Sequence, residues 1–189
     1  MPRVVDHEER RTEIVHALWY VIAEHGIEGV SLRHVAAAAE VSAGRIQHYF
    51  GTKEALVVAG CEALIGSAYT GYLETEGASP RDRLLHVVTQ QVPHDEAGRF
   101  GVSVWYAYVA KAISHPEIRR LLAEARRGAE DECARLVLAA RPTGEGEGKA
   151  HQQARRLLAL ADGLTLRVLV GDLDATEAIA TLEAEVHSI

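Results

Sequence analysis

A chain of 189 residues, 48% apolar and 25% charged, is long enough for one or two domains with a proper core and ordinary in composition for a globular protein. Its net charge of −7 argues against a nucleic-acid binder held by bulk electrostatics over its whole surface. No uninterrupted apolar run approaches the ~18 residues of a membrane span, and the opening MPRVVDHEERRTE lacks the apolar core of a signal peptide.

These absences lead to the expectation of a cytoplasmic chain with no membrane partner. Cys61 and Cys133 are solitary, so two reduced, partly buried thiols are expected rather than a disulfide or metal framework.

Taken in order, residues 1 to 8 read as a loose arm, with Arg3, Arg10 and Arg11 able to reach phosphates, although terminal arginines are more often simply solvated. From about Glu9 to His25, Ile14, Val15, Leu18 and Ile22 form an apolar stripe that Trp19 widens and Gly26 ends. Leu32, Val35, Ala36 and Ala39 then repeat at helical spacing behind Ser31 as N-cap. Ser42 offers a second N-cap oxygen, and Ile46 and Phe50 lie one turn apart before Gly51. Two short helices separated by about three residues make a helix-turn-helix, and the small run Ala36–Ala39 lets them cross closely. With Ile46 and Phe50 inward, Gly44, Arg45, Gln47 and His48 fall on the outer and flanking faces, a side-chain set suited to base edges in a major groove. Residues 31 to 53 hold Arg33, Arg45 and Lys53 against Glu40, so this stretch is locally positive in an acidic chain.

The run GRIQHYFGTKEAL resembles the recognition helix and following helix start of TetR-family transcriptional regulators, and SLRHVAAAAEVS is similar to the preceding helix of that motif. The resemblance covers roughly the first third of the chain. It implies an all-α fold with a three-helix DNA-binding head over residues 1–51 and a larger helical ligand-binding and dimerisation domain over residues 52–189. It also implies a homodimer on double-stranded DNA with a palindromic operator, and a small-molecule effector. Arg45 and Gln47 are the candidates for base edges. Tyr49 and Lys53, with Ser42 and Arg33, match family positions that hold phosphate, and Ala43 and His48 complete the DNA-facing set. Gln47 stands where the family commonly has an aromatic residue, which leaves base or phosphate open for it. Glu40 replaces a glycine often seen in the turn, implying a backbone cost there or a tighter helix end.

Beyond the motif, Thr52 caps a long helix to about Leu73, with Glu54 at its positive N-terminal end and Leu56, Ala59, Ala63 and Leu64 on the buried side. Ser79 and Pro80 start a further helix carrying Leu84, Leu85, Val87 and Val88. The segment from about Glu96 to Ser114 is the most aromatic part of the chain; Phe100, Val104, Tyr108 and Ile113 are spaced for a buried face. Ordinary core is the commoner fate of such residues. The family resemblance implies a small-molecule cavity in the second domain and makes Phe100, Trp105, Tyr106 and Tyr108 ligand-binding candidates.

A helix over Pro116–Ala140 follows, then PTGEGEGK at 142–149 as a hinge or surface loop. Two last helices run from about Ala150 to Val170 and from Ala175 to Val186. Leu157, Leu160, Leu164, Val168, Ile179 and Leu182 are their candidate dimer-interface residues, since the pair is more apolar than one partner layer can hide. The same residues are equally consistent with the inner core of a monomer.

Ten histidines invite a search for catalytic or metal sites, but His7, His16, His25 and His34 recur every nine residues, which scatters them around a helix. The chain contains no HExxH, CxxC or GxSxG motif. No cofactor, metal or enzymatic activity is therefore expected. The reading is an all-α, ligand-responsive DNA-binding regulator of about nine helices, a repressor by family resemblance; the alternative is a helical small-molecule binding or interaction protein that does not read DNA.

Overall fold

A computed structural model of the chain describes residues 5–141 and 146–189. Arg3 of the expected arm and residues 142–145 of the expected loop lie outside the described residues. The described residues form nine α-helices and a single 3-10 turn: α1 Val5–His25, the turn Ile27–Gly29, α2 Leu32–Ala38, α3 Ala43–Phe50, α4 Lys53–Leu73, α5 Pro80–Thr89, α6 Glu96–Ala112, α7 Pro116–Ala140, α8 Glu147–Val170 and α9 Ala175–His187. The first helix thus begins four residues earlier than the expected start at about Glu9, taking in part of the expected arm. The eighth takes in Glu147, Gly148 and Lys149, whose polarity had suggested loop. Polar helix ends carry no apolar period, so the pattern marks only the packed middle of a helix.

The chain divides into two compact units, 1–67 with 103–122, and 68–102 with 123–189. Helices α4, α6 and α7 each contribute to both. In the first unit, Ile14, Leu18 and Ile22 of α1, Val35 of α2, Ile46 and Phe50 of α3, Leu56, Val57 and Cys61 of α4, Val104 and Tyr108 of α6 and Ile118 of α7 share one core. An 18-residue window of α4 is apolar enough, by length and composition only, to cross a bilayer; its inner side is spent on this core.

Gly60 is the point of closest approach. A Cβ there would lie 2.5 Å from Leu18 Cδ2 and 2.5 Å from the Tyr108 hydroxyl. With no side chain in the way, Trp19 Nε1 donates to the Gly60 carbonyl at 3.0 Å and the Tyr108 hydroxyl donates to the Val57 carbonyl at 3.0 Å. The buried Tyr108 hydroxyl and the half-buried Trp19 indole thereby find the partners they need.

The second unit packs Leu84, Val88 and Val92 of and just after α5, Cys133, Leu136 and Val137 of α7, Leu157, Ala161, Leu164 and Val168 of α8, and Ala178, Leu182 and Val186 of α9. At its edge Glu132 accepts from the Tyr72 hydroxyl and takes two bonds from Arg135 at 2.7 and 2.6 Å, while Arg83 lies 4.5 Å over the Tyr72 ring. The Arg135 bonds hold the Glu132 carboxyl below the usual carboxylate range. Cys61 and Cys133 are both free and fully buried, and burial pushes each thiol up to about 12.

Candidate nucleic-acid interface

The two short helices are built by their caps. Ser31 Oγ accepts from the His34 amide at 3.2 Å to start α2, and Ser42 Oγ accepts from the Arg45 amide at 3.1 Å to start α3. Each cap is worth about 1 kcal/mol and satisfies a backbone donor that a helix start leaves unpaired. Between them the chain reverses through Glu40, whose φ of 53° lies in the left-handed region, and the Val41 amide returns to the Ala36 carbonyl at 3.0 Å. The backbone cost inferred from a glutamate in place of glycine is therefore visible as a left-handed conformation that L-residues resist. Gly51 at φ 75° ends α3, its amide on the Gln47 carbonyl at 2.8 Å.

Ile46 is fully buried and Phe50 nearly so, which turns Gly44, Arg45, Gln47 and His48 outward; all four are exposed. Arg33 and Ser42 are exposed as well, and Ala43, Tyr49 and Lys53 are half-buried beside them. The DNA-facing residues read from the sequence thus gather on and around α3, with Lys53 at the first position of α4, where Thr52 Oγ1 caps the Ala55 amide at 3.0 Å.

One contact escaped the sequence reading, which has Arg11 only as a charge of the amino-terminal arm. Arg11 Nη1 donates to the Tyr49 carbonyl at 3.3 Å, and its guanidinium lies 4.5 Å over the Phe50 ring. This cation at the end of α3 complements the helix dipole and ties α1 to the exposed helix. The arginine is legible as a charge near the amino end, but its partner 38 residues away is not.

The remaining candidates are placed differently. On α6, Tyr108 is fully buried in the first unit with its hydroxyl committed to Val57, Trp105 and Tyr106 are half-buried, and Phe100 is exposed. The even stripe expected along this helix therefore breaks at both ends: Val104 and Tyr108 are buried, whereas Ile113 is 79% exposed because α6 stops at Ala112 before reaching it. In the second unit, Leu157, Leu164, Val168 and Leu182 are buried inside the chain's own core, and Leu160 and Ile179 pack half-buried against it. Their neighbours Ala159, Gly163, Leu166 and Val170 on α8 are exposed. Counting apolar residues around α8 finds too many for one face, but only the coordinates say which of them the protomer uses itself.

Residues 14–59 match the family description "Bacterial regulatory proteins, tetR family", and residues 80–189 match "BetI-type transcriptional repressor, C-terminal". The HTH-type transcriptional regulator BetI of Burkholderia thailandensis is 30% identical over 88% of this chain and 85% of its own length. The HTH-type transcriptional regulator PksA of Bacillus subtilis is 34% identical over 59% of this chain and 56% of its own. Among solved structures, a transcriptional regulator from Rhodococcus sp. Rha1 superposes with a TM-score of 0.83 at 26% identity, covering 95% of each chain. One from Saccharomonospora viridis, solved in complex with choline, superposes with a TM-score of 0.85 at 24% identity over 95% of this chain and 96% of that one, a likeness of fold.

Proposed function

Since the chain belongs to the TetR family of bacterial regulatory proteins, whose named members here are transcriptional regulators and not enzymes, we propose that it is a ligand-responsive DNA-binding regulator acting as a repressor in the cytoplasm. The observation that carries this reading is α3: a short helix anchored by Ile46 and Phe50 that presents Arg45, Gln47 and His48 to solvent. In this reading residues 1–51 form the DNA-reading head and residues 52–189 bind the effector and a second copy. Arg45 and Gln47 read base edges, the first suited to guanine and the second to adenine, and Arg33, Ser42, Ala43, His48, Tyr49 and Lys53 line the backbone around them. A two-fold dimer places two such helices in successive major grooves about one helical turn apart, so the operator is a palindrome.

The second copy packs against α8 and α9 through Ala159, Gly163, Leu166 and Val170. Gly163 has open space around its Cβ position, so a partner helix has room to approach there. The effector is a small apolar or amphipathic molecule. The choline held by the Saccharomonospora viridis protein adds small quaternary ammonium compounds to that class, for which Trp105 and Tyr106 of α6 offer aromatic faces. The effector need only favour by a few kcal/mol the state in which the heads are mis-spaced for adjacent grooves.

The test is binding to the duplex upstream of the chain's own coding region across a salt series. A reader gives a steep salt slope and a preferred site. Arg45→Ala costs about 1 to 3 kcal/mol of sequence preference, whereas Lys53→Ala weakens all sequences alike. If both variants match wild type on operator and random duplex, these roles are rejected; if the chain itself shows neither a steep salt slope nor a preferred site, a helical binding protein that does not read DNA takes the place of the regulator.

A further inference from the structure

The turn Ile27–Gly29 that leads into α2 is fixed at both ends. The Gly29 amide donates to the Gly26 carbonyl at 3.1 Å, and His34 Nδ1 donates to the Gly29 carbonyl at 3.0 Å. Its one charged residue, Glu28, is held from a distant part of the sequence: Lys111 Nζ of α6 donates to Glu28 Oε1 at 2.6 Å. The two partners are unequally anchored, since the Lys111 side chain is 23% exposed and the Glu28 side chain 78%. The lysine, its stem packed against the protein, is therefore the fixed partner, and the carboxylate is the arm that swings if released. A second cation acts on the same carboxylate. Lys53, which opens α4, is half-buried and makes no ion pair among the described residues. The bond and charge of Lys111 first, and the charge of Lys53 last, hold the Glu28 carboxyl below the usual carboxylate range.

We infer that Lys111 is a positioning residue for DNA binding: by holding Glu28 it keeps that carboxylate off Lys53 and leaves Lys53 available to phosphate. The inference rests on the phosphate contact proposed above for Lys53 and names what keeps that contact open. A carboxylate and a phosphate compete for the same ammonium, and a competitor built into the chain acts at high effective concentration. Released, Glu28 takes one phosphate contact from each head. The pair also connects this contact to α6, the helix that carries Trp105 and Tyr106. Because backbone contacts carry no sequence information directly, losing one changes affinity and leaves sequence preference as it was.

The experiment uses the full-length protein, with affinity measured over a salt series on the duplex upstream of its own coding region and on a mixed-sequence duplex of roughly 30 base pairs, about three turns of B-DNA. Lys111→Met keeps the aliphatic stem and removes the charge. It is expected to weaken binding to both duplexes by the same factor, up to about tenfold, and to flatten the slope of log K against log salt by about 1 to 2 for a two-headed dimer, since each phosphate contact contributes about 0.9. In a Lys53→Ala background the same substitution has no further effect. Glu28→Gln added to Lys111→Met restores the lost affinity, whereas Glu24→Gln, which removes a carboxylate from the end of α1 instead, does not. Lys111→Arg retains a cation for Glu28 and keeps the steep slope. Circular dichroism checks that each variant is folded, and Lys111→Gln replaces Lys111→Met if that one is not. Wild-type affinity in Lys111→Met, losses that add in the double variant with Lys53→Ala, or equal rescue by Glu24→Gln each overturns the positioning role while leaving the DNA reading standing. A Lys53→Ala protein that binds as wild type removes the phosphate contact and the inference together, and failure of the wild type to bind any duplex overturns the DNA reading as well.

Discussion

Gly60→Ala is the substitution whose outcome most sharply separates packing from helix propensity. By propensity alone, alanine in the interior of α4 should stabilise by about 1 kcal/mol over glycine. The new methyl group, however, would sit 2.5 Å from Leu18 Cδ2 and from the Tyr108 hydroxyl, and 3.5 Å from Trp19 Nε1. Leu18 and Tyr108 are both 0% exposed, so neither has solvent to swing into. Forcing a methyl group into a packed core costs about 1 to 3 kcal/mol, and displacing the tyrosine hydroxyl from the Val57 carbonyl strands a buried donor at about another 1 to 3. The packing costs, about 2 to 6 kcal/mol together, exceed the propensity gain of about 1, giving a net loss of about 1 to 5 kcal/mol. Urea unfolding at fixed protein concentration measures it, since a dimer's apparent stability varies with concentration. Tyr108→Phe removes one of the two clashing atoms, so the double variant should lose less than the two singles together, by about 1 kcal/mol. A Gly60→Ala protein more stable than wild type would refute the close approach of α1 and α6 to α4.

The remaining predictions concern the turn, the thiols and the second copy. Glu40→Gly should stabilise the chain by about 0.5 to 1 kcal/mol, because relief of the left-handed backbone exceeds the entropy glycine adds to the unfolded chain; thermal melts check it, and it should also tighten nonspecific duplex binding by removing a carboxylate from the head. Cys61 and Cys133 should resist a thiol reagent at pH 8 until denaturant is added, since their thiols are buried and hold their protons to about 12. As these groups ionise near 9 once unfolded, the folded state binds more protons above that pH, and stability should fall as pH rises from about 9 towards 12. Leu166→Glu should convert a dimer to monomers in sedimentation without unfolding the protomer, because the side chain is 48% exposed in the single chain and Val170 beside it is 70% exposed.

What was readable in the sequence was whatever depends on neighbours in sequence. Ser31, Ser42, Thr52 and Ser79 all cap the helices their position indicates, and Pro116–Ala140 is a helix end to end as its pattern requires. Caps and period-3.6 stripes act within four residues, so a single chain carries them in full. The exposed set on α3 was readable for the same reason, since burying Ile46 and Phe50 leaves the helix only one outward side. Less legible was the distribution of apolar residues among competing faces. Leu157 and Leu166 are both leucines on α8, yet one lies in the core and the other is exposed, and the choice is made by where α5 and α9 pack. Tyr108 shows the same limit: an aromatic on an aromatic helix suits a pocket or a core, and what assigns it to the core is a hydrogen bond to Val57, 51 residues away.

That distant bond bears on how the DNA-facing helix is held at all. Helices α2 and α3 are seven and eight residues long, well below the ~12 to 15 at which an isolated helix becomes even marginally stable in water. Their caps contribute about 1 kcal/mol each, too little to fix α3 within the few tenths of an ångström that base readout requires. Burial of α2 and α3 in the core they share with α1 and α4 supplies the rest, and α4 is itself pinned on one side by Trp19 and on the other by Tyr108 at consecutive turns around Gly60. The orientation of Arg45 and Gln47 therefore depends on a packing site more than ten residues away in sequence that touches no DNA. A Tyr108→Phe protein should consequently fold, lose about 1 kcal/mol of stability, and show its functional defect as relaxed sequence preference with the salt slope intact, because the phosphate-binding cations remain while the rigidity of the reading helix falls. Unchanged preference in that variant would mean that α3 is positioned without α6, by α2 and by Arg11 of α1.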